Sequence, residues 1–192
     1  MKESARQLKK ERTREAIIEA AYRVFSERGI LGARMSDIAA AAGVSHGTVF
    51  LHFSTQEELV CEVAQFYCTN IARRTHELAE SGGGLREILE AHLDGIAEYE
   101  PFYTRLVAEN RLLPTAARDA FVTAQSTLSH HFGKAAARVS PLAPELLFNT
   151  WLGLIHHYLL NGELFAPGGQ VIRRCGPRLV DFFLDLIGSE KM

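Results

Sequence analysis

Met35-Ser36-Asp37-Ile38-Ala39-Ala40-Ala41-Ala42-Gly43-Val44-Ser45-His46-Gly47-Thr48-Val49-Phe50-Leu51-His52-Phe53 reads as two short helices joined by a tight turn. Ile38 and Ala39 begin the first, and it ends at Gly43, a residue free to take the left-handed conformation that such a turn requires. Val44 plugs the turn into the core, and Ser45 is placed to cap the second helix, which runs through Phe53. Ala39, Ala42 and Val49 are small enough for two helices to cross closely, as a helix-turn-helix demands. Val49 and Phe53, four apart, form the buried face of the second helix. Its remaining face shows His46, Gly47, Thr48, Phe50, Leu51 and His52. The amides of Gly47 and Thr48 can meet a phosphate oxygen at the helix start, and Gly47 lets the backbone come close. His46 can reach a base edge, and Phe50 and Leu51 can pack on thymine methyls.

Outward from this stretch every strongly patterned segment has helical period, and no alternating strand appears. Upstream, Thr13 reads as an N-cap, followed by Ala16, Ile17, Ala20, Ala21, Val24 and Phe25 at spacings of three and four, with Gly29 as the stop. Downstream, Thr55-Gln56-Glu57-Glu58 is a capping box that opens a long helix to about Ala79. Ser81-Gly82-Gly83-Gly84 then breaks the chain. Further helices are predicted from about Leu85 to Tyr99, Phe102 to Arg111, Pro114 to Val139, Glu145 to Leu160, and after Gly169 to Gly188. The expectation is an all-α chain of about nine helices. Residues 1–55 form a basic arm with a three-helix helix-turn-helix domain, and 56–192 a helical ligand-binding and dimerisation domain.

Charge divides the chain in the same way. Residues 1–54 carry nine Lys/Arg against six Asp/Glu, while 55–192 carry twelve against seventeen. Lys2, Arg6, Lys9, Lys10, Arg12 and Arg14 crowd the first fourteen residues. A basic head on an acidic body suits a protein that presents one end to a polyanion. No run approaches the ~20 apolar residues needed to span a bilayer, and the start lacks the apolar region of a signal peptide, so the expectation is cytoplasmic with no membrane partner.

Thr13-Arg14-Glu15-Ala16-Ile17-Ile18, Phe25, Gly29, Asp37-Ile38-Ala39, Ala42-Gly43-Val44-Ser45, Gly47-Thr48 and His52-Phe53 together resemble the N-terminal domain of TetR/AcrR-type regulators. The likeness covers residues 13 to about 60 in fixed register. It implies a homodimer that binds double-stranded DNA, usually as a repressor, and releases an inverted-repeat operator when a small molecule binds the C-terminal domain. It further implies that Thr48 and His52 contact phosphate while His46, Gly47 and Phe50 lie nearest the bases. Arg34, Ser36, Ser45, Leu51 and Gln56 complete the expected DNA-contacting set. Three positions depart from the pattern. Phe50 stands where Tyr is usual, Gln56 where a phosphate-contacting Lys is common, and Arg34 in a stretch usually rich in Thr or Ser.

In the body, the Glu145–Leu160 segment and the last helix are apolar nearly all round, which requires cover on more than one side. A homodimeric four-helix bundle supplies it, with Leu152, Gly153, Leu159, Leu179, Phe182, Phe183 and Leu186 as interface candidates. Tyr67, Tyr99, Phe102, Tyr103, Phe121, Trp151 and Tyr158 are candidates to wall a cavity for a small organic effector, with Arg105 and His157 as polar anchors. A metal- or redox-sensing regulator of the same fold is the alternative, through Cys61, Cys68 or Cys175. His130-His131 and His156-His157 are each adjacent on a helix and point ~100° apart, so neither pair chelates one ion, and no metal site or cofactor is expected. No Gly-x-Ser-x-Gly, His-Glu-x-x-His or P-loop motif is present, and Glu87 and Glu90 read as solvated faces, so the chain does not read as an enzyme.

Overall fold

The computed structural model describes residues 5–188, and Lys2 of the basic arm lies outside them. The described residues are helical and contain no strand. In chain order they form α1 (Ala5–Arg28), α2 (Met35–Ala42), α3 (His46–His52), α4 (Gln56–Glu80), α5 (Leu85–Glu98), α6 (Glu100–Glu109), a 3-10 turn (Asn110–Leu112), α7 (Thr115–Ala136), α8 (Pro144–Leu160), α9 (Gly162–Phe165) and α10 (Val171–Gly188).

Several boundaries differ from the sequence expectation: α2 starts at Met35 and not at Ile38, α7 ends at Ala136 and not at about Val139, and two further differences have local reasons. α1 begins at Ala5, eight residues before Thr13. The Thr13 hydroxyl donates back to the Lys9 carbonyl at 2.9 Å inside the helix instead of capping it. Helix formers fill the added turns, and Gln7 donates to Glu11 one turn on. α6 begins at Glu100, with Pro101 in its first turn, where a missing N–H costs nothing. The helix that the sequence did not predict, α9, is a single turn, too short to carry a period.

Caps and core packing hold the small N-terminal bundle. Gly43 takes φ +67°, and the Gly43 and Val44 amides close on the last carbonyls of α2. Ser45 Oγ accepts from Thr48 N–H at 3.1 Å, and Thr55 Oγ1 from Glu58 N–H at 3.1 Å. Ile17, Phe25, Ile38, Val49 and Phe53 are wholly buried against one another's helices. α4 follows α3 after three residues and packs most extensively on α7, with α5 beside it.

Two links tie the N-terminal helices to the body. Tyr22 and Phe25 of α1 meet Tyr67 of α4 and Phe102 of α6, with Tyr22 stacked on Tyr67 at 4.3 Å and Tyr67 5.5 Å from Phe102. The second is Glu109 at the end of α6, whose carboxylate accepts Ile30 N–H at 3.3 Å and Leu31 N–H at 2.8 Å. Gly29 has φ +84°, and a Cβ there would stand 2.8 Å from Glu109 Oε1, so glycine is needed twice over. Glu109→Ala leaves both amides without this partner. A charge-assisted hydrogen bond contributes about 1.5–3 kcal/mol when buried. Partial exposure reduces that here, and a fall in melting temperature of about 2–6 °C is expected by scanning calorimetry. An unchanged Tm would mean that the two amides are equally well served by water.

Candidate functional site

α3 lies across α2 with Val49 and Phe53 turned inward, and its other face is open. His46, Gly47, Phe50 and Leu51 are exposed, Leu51 to 81%, and the His46 and Phe50 rings meet edge-on at 4.9 Å. Arg34, just before α2, and Ser36, in its first turn, are also exposed. Leu51 makes no packing contact that would bury it within the protomer. It is thus available to an apolar surface outside the protomer.

Four members of the expected set differ in detail from their expected roles. The Thr48 amide is taken by Ser45 Oγ, and the two hydroxyls are 2.8 Å apart, so Thr48 brings a hydroxyl and not a free N–H. Ser45 is correspondingly engaged as a cap. His52 is half-buried, its Nδ1 lacks a partner, and burial, with Lys10 and Arg14 nearby, holds its pKa below the ordinary histidine value. It therefore faces solvent as a neutral ring at pH 7. Gln56 donates to the Ala33 carbonyl at 3.0 Å, fastening α4 to the α1–α2 connection. The positive charge beside α3 comes from α1 instead, where Lys10 and Arg14 stand near His52 and the Arg14 guanidinium lies over the Phe53 ring at 5.0 Å. Their part was legible only as net charge.

In the body a partly open cavity of about 20 Å³ is bounded by α4, α5, α6 and α7. Tyr103 and Phe121, two of the candidate wall residues, line it together with Cys68, Ile71, Thr75, His92, Gln125 and Leu128. Thr75 Oγ1 is buried without a hydrogen-bond partner. His92 Nδ1 accepts from Trp151 Nε1 at 3.2 Å, which places the ring proton on Nε2, and burial pushes its pKa down to about 3. Tyr103 Oη and His156 Nε2 are 3.0 Å apart, and burial takes His156 to about 4. Both rings are neutral, and no lining side chain carries a charge.

The other expected wall residues are elsewhere. Tyr67, Tyr99 and Phe102 pack at the junction with α1, and Trp151 is wholly buried between His92 and Phe183. Arg105 borders an open groove beside the α8–α10 connection, and Tyr158 stacks on Phe165 at 4.0 Å with His157 exposed beside it. These side chains are aromatic because junctions and cores use large rings. Thr75, His92 and Gln125 gave no sequence signal, since three separate helices bring them together.

The apolar character of α8 and α10 divides between two faces. Leu152, Leu159, Leu179 and Phe183 point into the protomer's own core, which corrects the expectation that they face a partner. Gly153, Phe182 and Leu186 are exposed, with Leu146 and Leu160 on the same helices also exposed. The cysteines are all free thiols. Burial raises the Cys61 pKa and pushes Cys68 up to about 12, which disfavours the thiolate that redox chemistry needs. Among the described residues no helix is long and apolar enough to cross a membrane.

Residues 17–63 match the family model described as bacterial regulatory proteins, tetR family. The chain is 39% identical over 79 residues to the HTH-type transcriptional repressor Rv3405c of Mycobacterium tuberculosis, a match covering 41% of this chain and 39% of that protein. The fold is similar to that of the TetR-family regulator PfmR from Thermus thermophilus, with TM-score 0.73 and 19% identity over 89% of this chain and 96% of the other. It is also similar to AibR, solved in complex with isovaleryl coenzyme A and operator DNA, with TM-score 0.71 and 17% identity over 91% and 97%.

Proposed function

We propose that the chain is a regulator of the TetR type, whose family model matches residues 17–63, and that it works as a homodimeric repressor, released from an inverted-repeat operator by a small organic effector. The observation that carries the DNA reading is the outer face of α3. Its exposed His46, Gly47, Phe50 and Leu51 are held by a helix whose inner residues, Val49 and Phe53, are wholly buried. In this reading α3 lies in the major groove. His46 reads a base edge, Phe50 and Leu51 meet methyl groups, and Thr48, Arg34 and Ser36 contact the backbone, with the basic residues of α1 drawing the head toward DNA.

The body supports an effector that is uncharged and mostly apolar, because the cavity offers Thr75, Gln125 and neutral His92 as its polar groups and no ion to pair with a charged ligand. At about 20 Å³ the cavity has room for about one water, and ligand pockets run to roughly 300–1,000 Å³. An effector must therefore part the helices, chiefly α4 from α7. α4 both walls the cavity and starts three residues after α3, so parting it re-aims the reading helix. Release by ~100-fold requires roughly 2.7 kcal/mol of difference in effector affinity between the two states.

Selection from random duplexes, followed by fluorescence anisotropy, tests the reading. The recovered site should be an inverted repeat with half-sites about one helical turn apart, ~34–36 Å. His46→Ala should relax the preference at one base pair per half-site. Recovery of no preferred sequence, with binding that follows salt alone, would overturn it.

A further inference from the structure

His76 and Glu80 stand one turn apart on α4, so their side chains leave one face of the helix. His131 of α7 comes to meet them. His76 Nδ1 and His131 Nε2 are 2.9 Å apart, and with a Glu80 carboxylate oxygen the three ligand atoms lie within 4.8 Å of one another. A hydrogen bond between the two imidazole rings accounts for the nitrogen pair. It does not account for the Glu80 carboxylate, which brings an oxygen donor to within 4.8 Å of both nitrogens, a side-chain rotation away from a shared ion.

We propose that His76, Glu80 and His131 bind a divalent first-row transition ion, zinc or a neighbour in that row, joining α4 to α7. Imidazole nitrogens with one carboxylate select this class over magnesium and calcium, which take oxygen ligands. With metal–nitrogen bonds of 2.0–2.1 Å, the observed nitrogen separation subtends about 90° at the ion, within reach of tetrahedral geometry after a few tenths of an ångström of adjustment. His131 is buried and fixed by its helix, while His76 and Glu80 are exposed, so the ion enters from solvent. Glu80 and His131 also border a groove of about 200 Å³, into which the remaining coordination positions open. Lys134 and Arg138 line that groove and would draw an anion or water to those positions. Neither adjacent histidine pair, His130-His131 or His156-His157, supplies both of its rings to this cluster. The site owes its second histidine to another helix, and it stands apart from Cys61, Cys68 and Cys175.

Calorimetric titration of the full chain with zinc chloride, after chelator treatment, tests the site without reference to DNA. One ion per protomer is expected, with a visible absorption band when cobalt(II) is used instead. His76→Gln and Glu80→Gln, both at exposed positions, should keep the wild-type circular dichroism. His76→Gln should weaken zinc binding by ~10–100-fold, since loss of a direct ligand costs at least as much as loss of a group that orients one. Zinc should raise the melting temperature of the wild type and not of His76→Gln, because the ion holds two helices together. Saturable zinc binding of equal strength in the wild type and both variants would overturn the proposal, as would a wild-type protein that binds no zinc.

Discussion

Gly47→Ala is expected to leave the fold intact, with a melting temperature equal to or above the wild type's, while weakening operator binding by an order of magnitude or more. Nothing inside the protomer requires glycine there. A Cβ at 47 would meet only Ser45 Oγ, at 3.9 Å, and the backbone does not take positive φ. Within a helix, glycine in place of alanine costs roughly 0.8–1.0 kcal/mol, so the position gives up stability that the fold itself does not ask for. The loss makes sense if a second backbone must come within contact distance of α3, and that is the approach a DNA strand makes to a reading helix. An added methyl group holds the strand off at a point where hydrogen bonds to phosphate act over less than an ångström of tolerance. Calorimetry and anisotropy on the selected operator check both halves. A variant as stable as the wild type that binds DNA equally well would place the contact surface elsewhere.

The legible part of this chain was the part encoded by neighbours in sequence. Gly43, Ser45, Val49 and Phe53 each act on residues within a turn or two, and the structure shows the left-handed cap, the Ser45 cap and the two buried side chains. Thr13 misled because a threonine hydroxyl can cap a helix or donate back to the preceding turn. Only the helix formers upstream tip that balance. The α8–α10 pair was legible as a need for two covers, but all-round apolarity does not say which side faces which cover. Leu152 and Phe183 turned inward and Gly153 and Phe182 outward, and that choice is made by the packing of α5, α7 and α10 around Trp151 and Phe183. The cavity and the His76–Glu80–His131 cluster were beyond reach for one reason. Each is assembled from side chains far apart in sequence, so the pattern within any one helix carries no trace of the convergence.

Phe182→Glu and Gly153→Arg are expected to yield folded monomers that no longer hold the two-site operator. Phe182 is 56% exposed and Leu186, one turn on, 49%, while Leu146 and Leu160 on α8 are exposed as well. Exposed large apolar side chains on two neighbouring helices are what an association surface would use. Gly153 sits mid-helix on the exposed side of α8, and a Cβ there would meet nothing within 4 Å, so nothing inside the protomer requires glycine at this position. In a two-fold dimer each substitution acts twice. Losing about 2 kcal/mol of apolar burial at each Phe182 amounts to about 4 kcal/mol per dimer, a ~1,000-fold rise in dissociation constant, before the cost of confronting two added carboxylates. Phe183→Glu serves as the contrast. That ring is wholly buried within the protomer against Trp151 and Phe132, so its replacement should unfold the chain and not merely separate it. Sedimentation velocity at micromolar concentration, with circular dichroism on the same samples, distinguishes the outcomes. If Phe182→Glu and Gly153→Arg sediment as the wild type does, the partner covers another face, and the four exposed side chains of α8 and α10 need a different occupant.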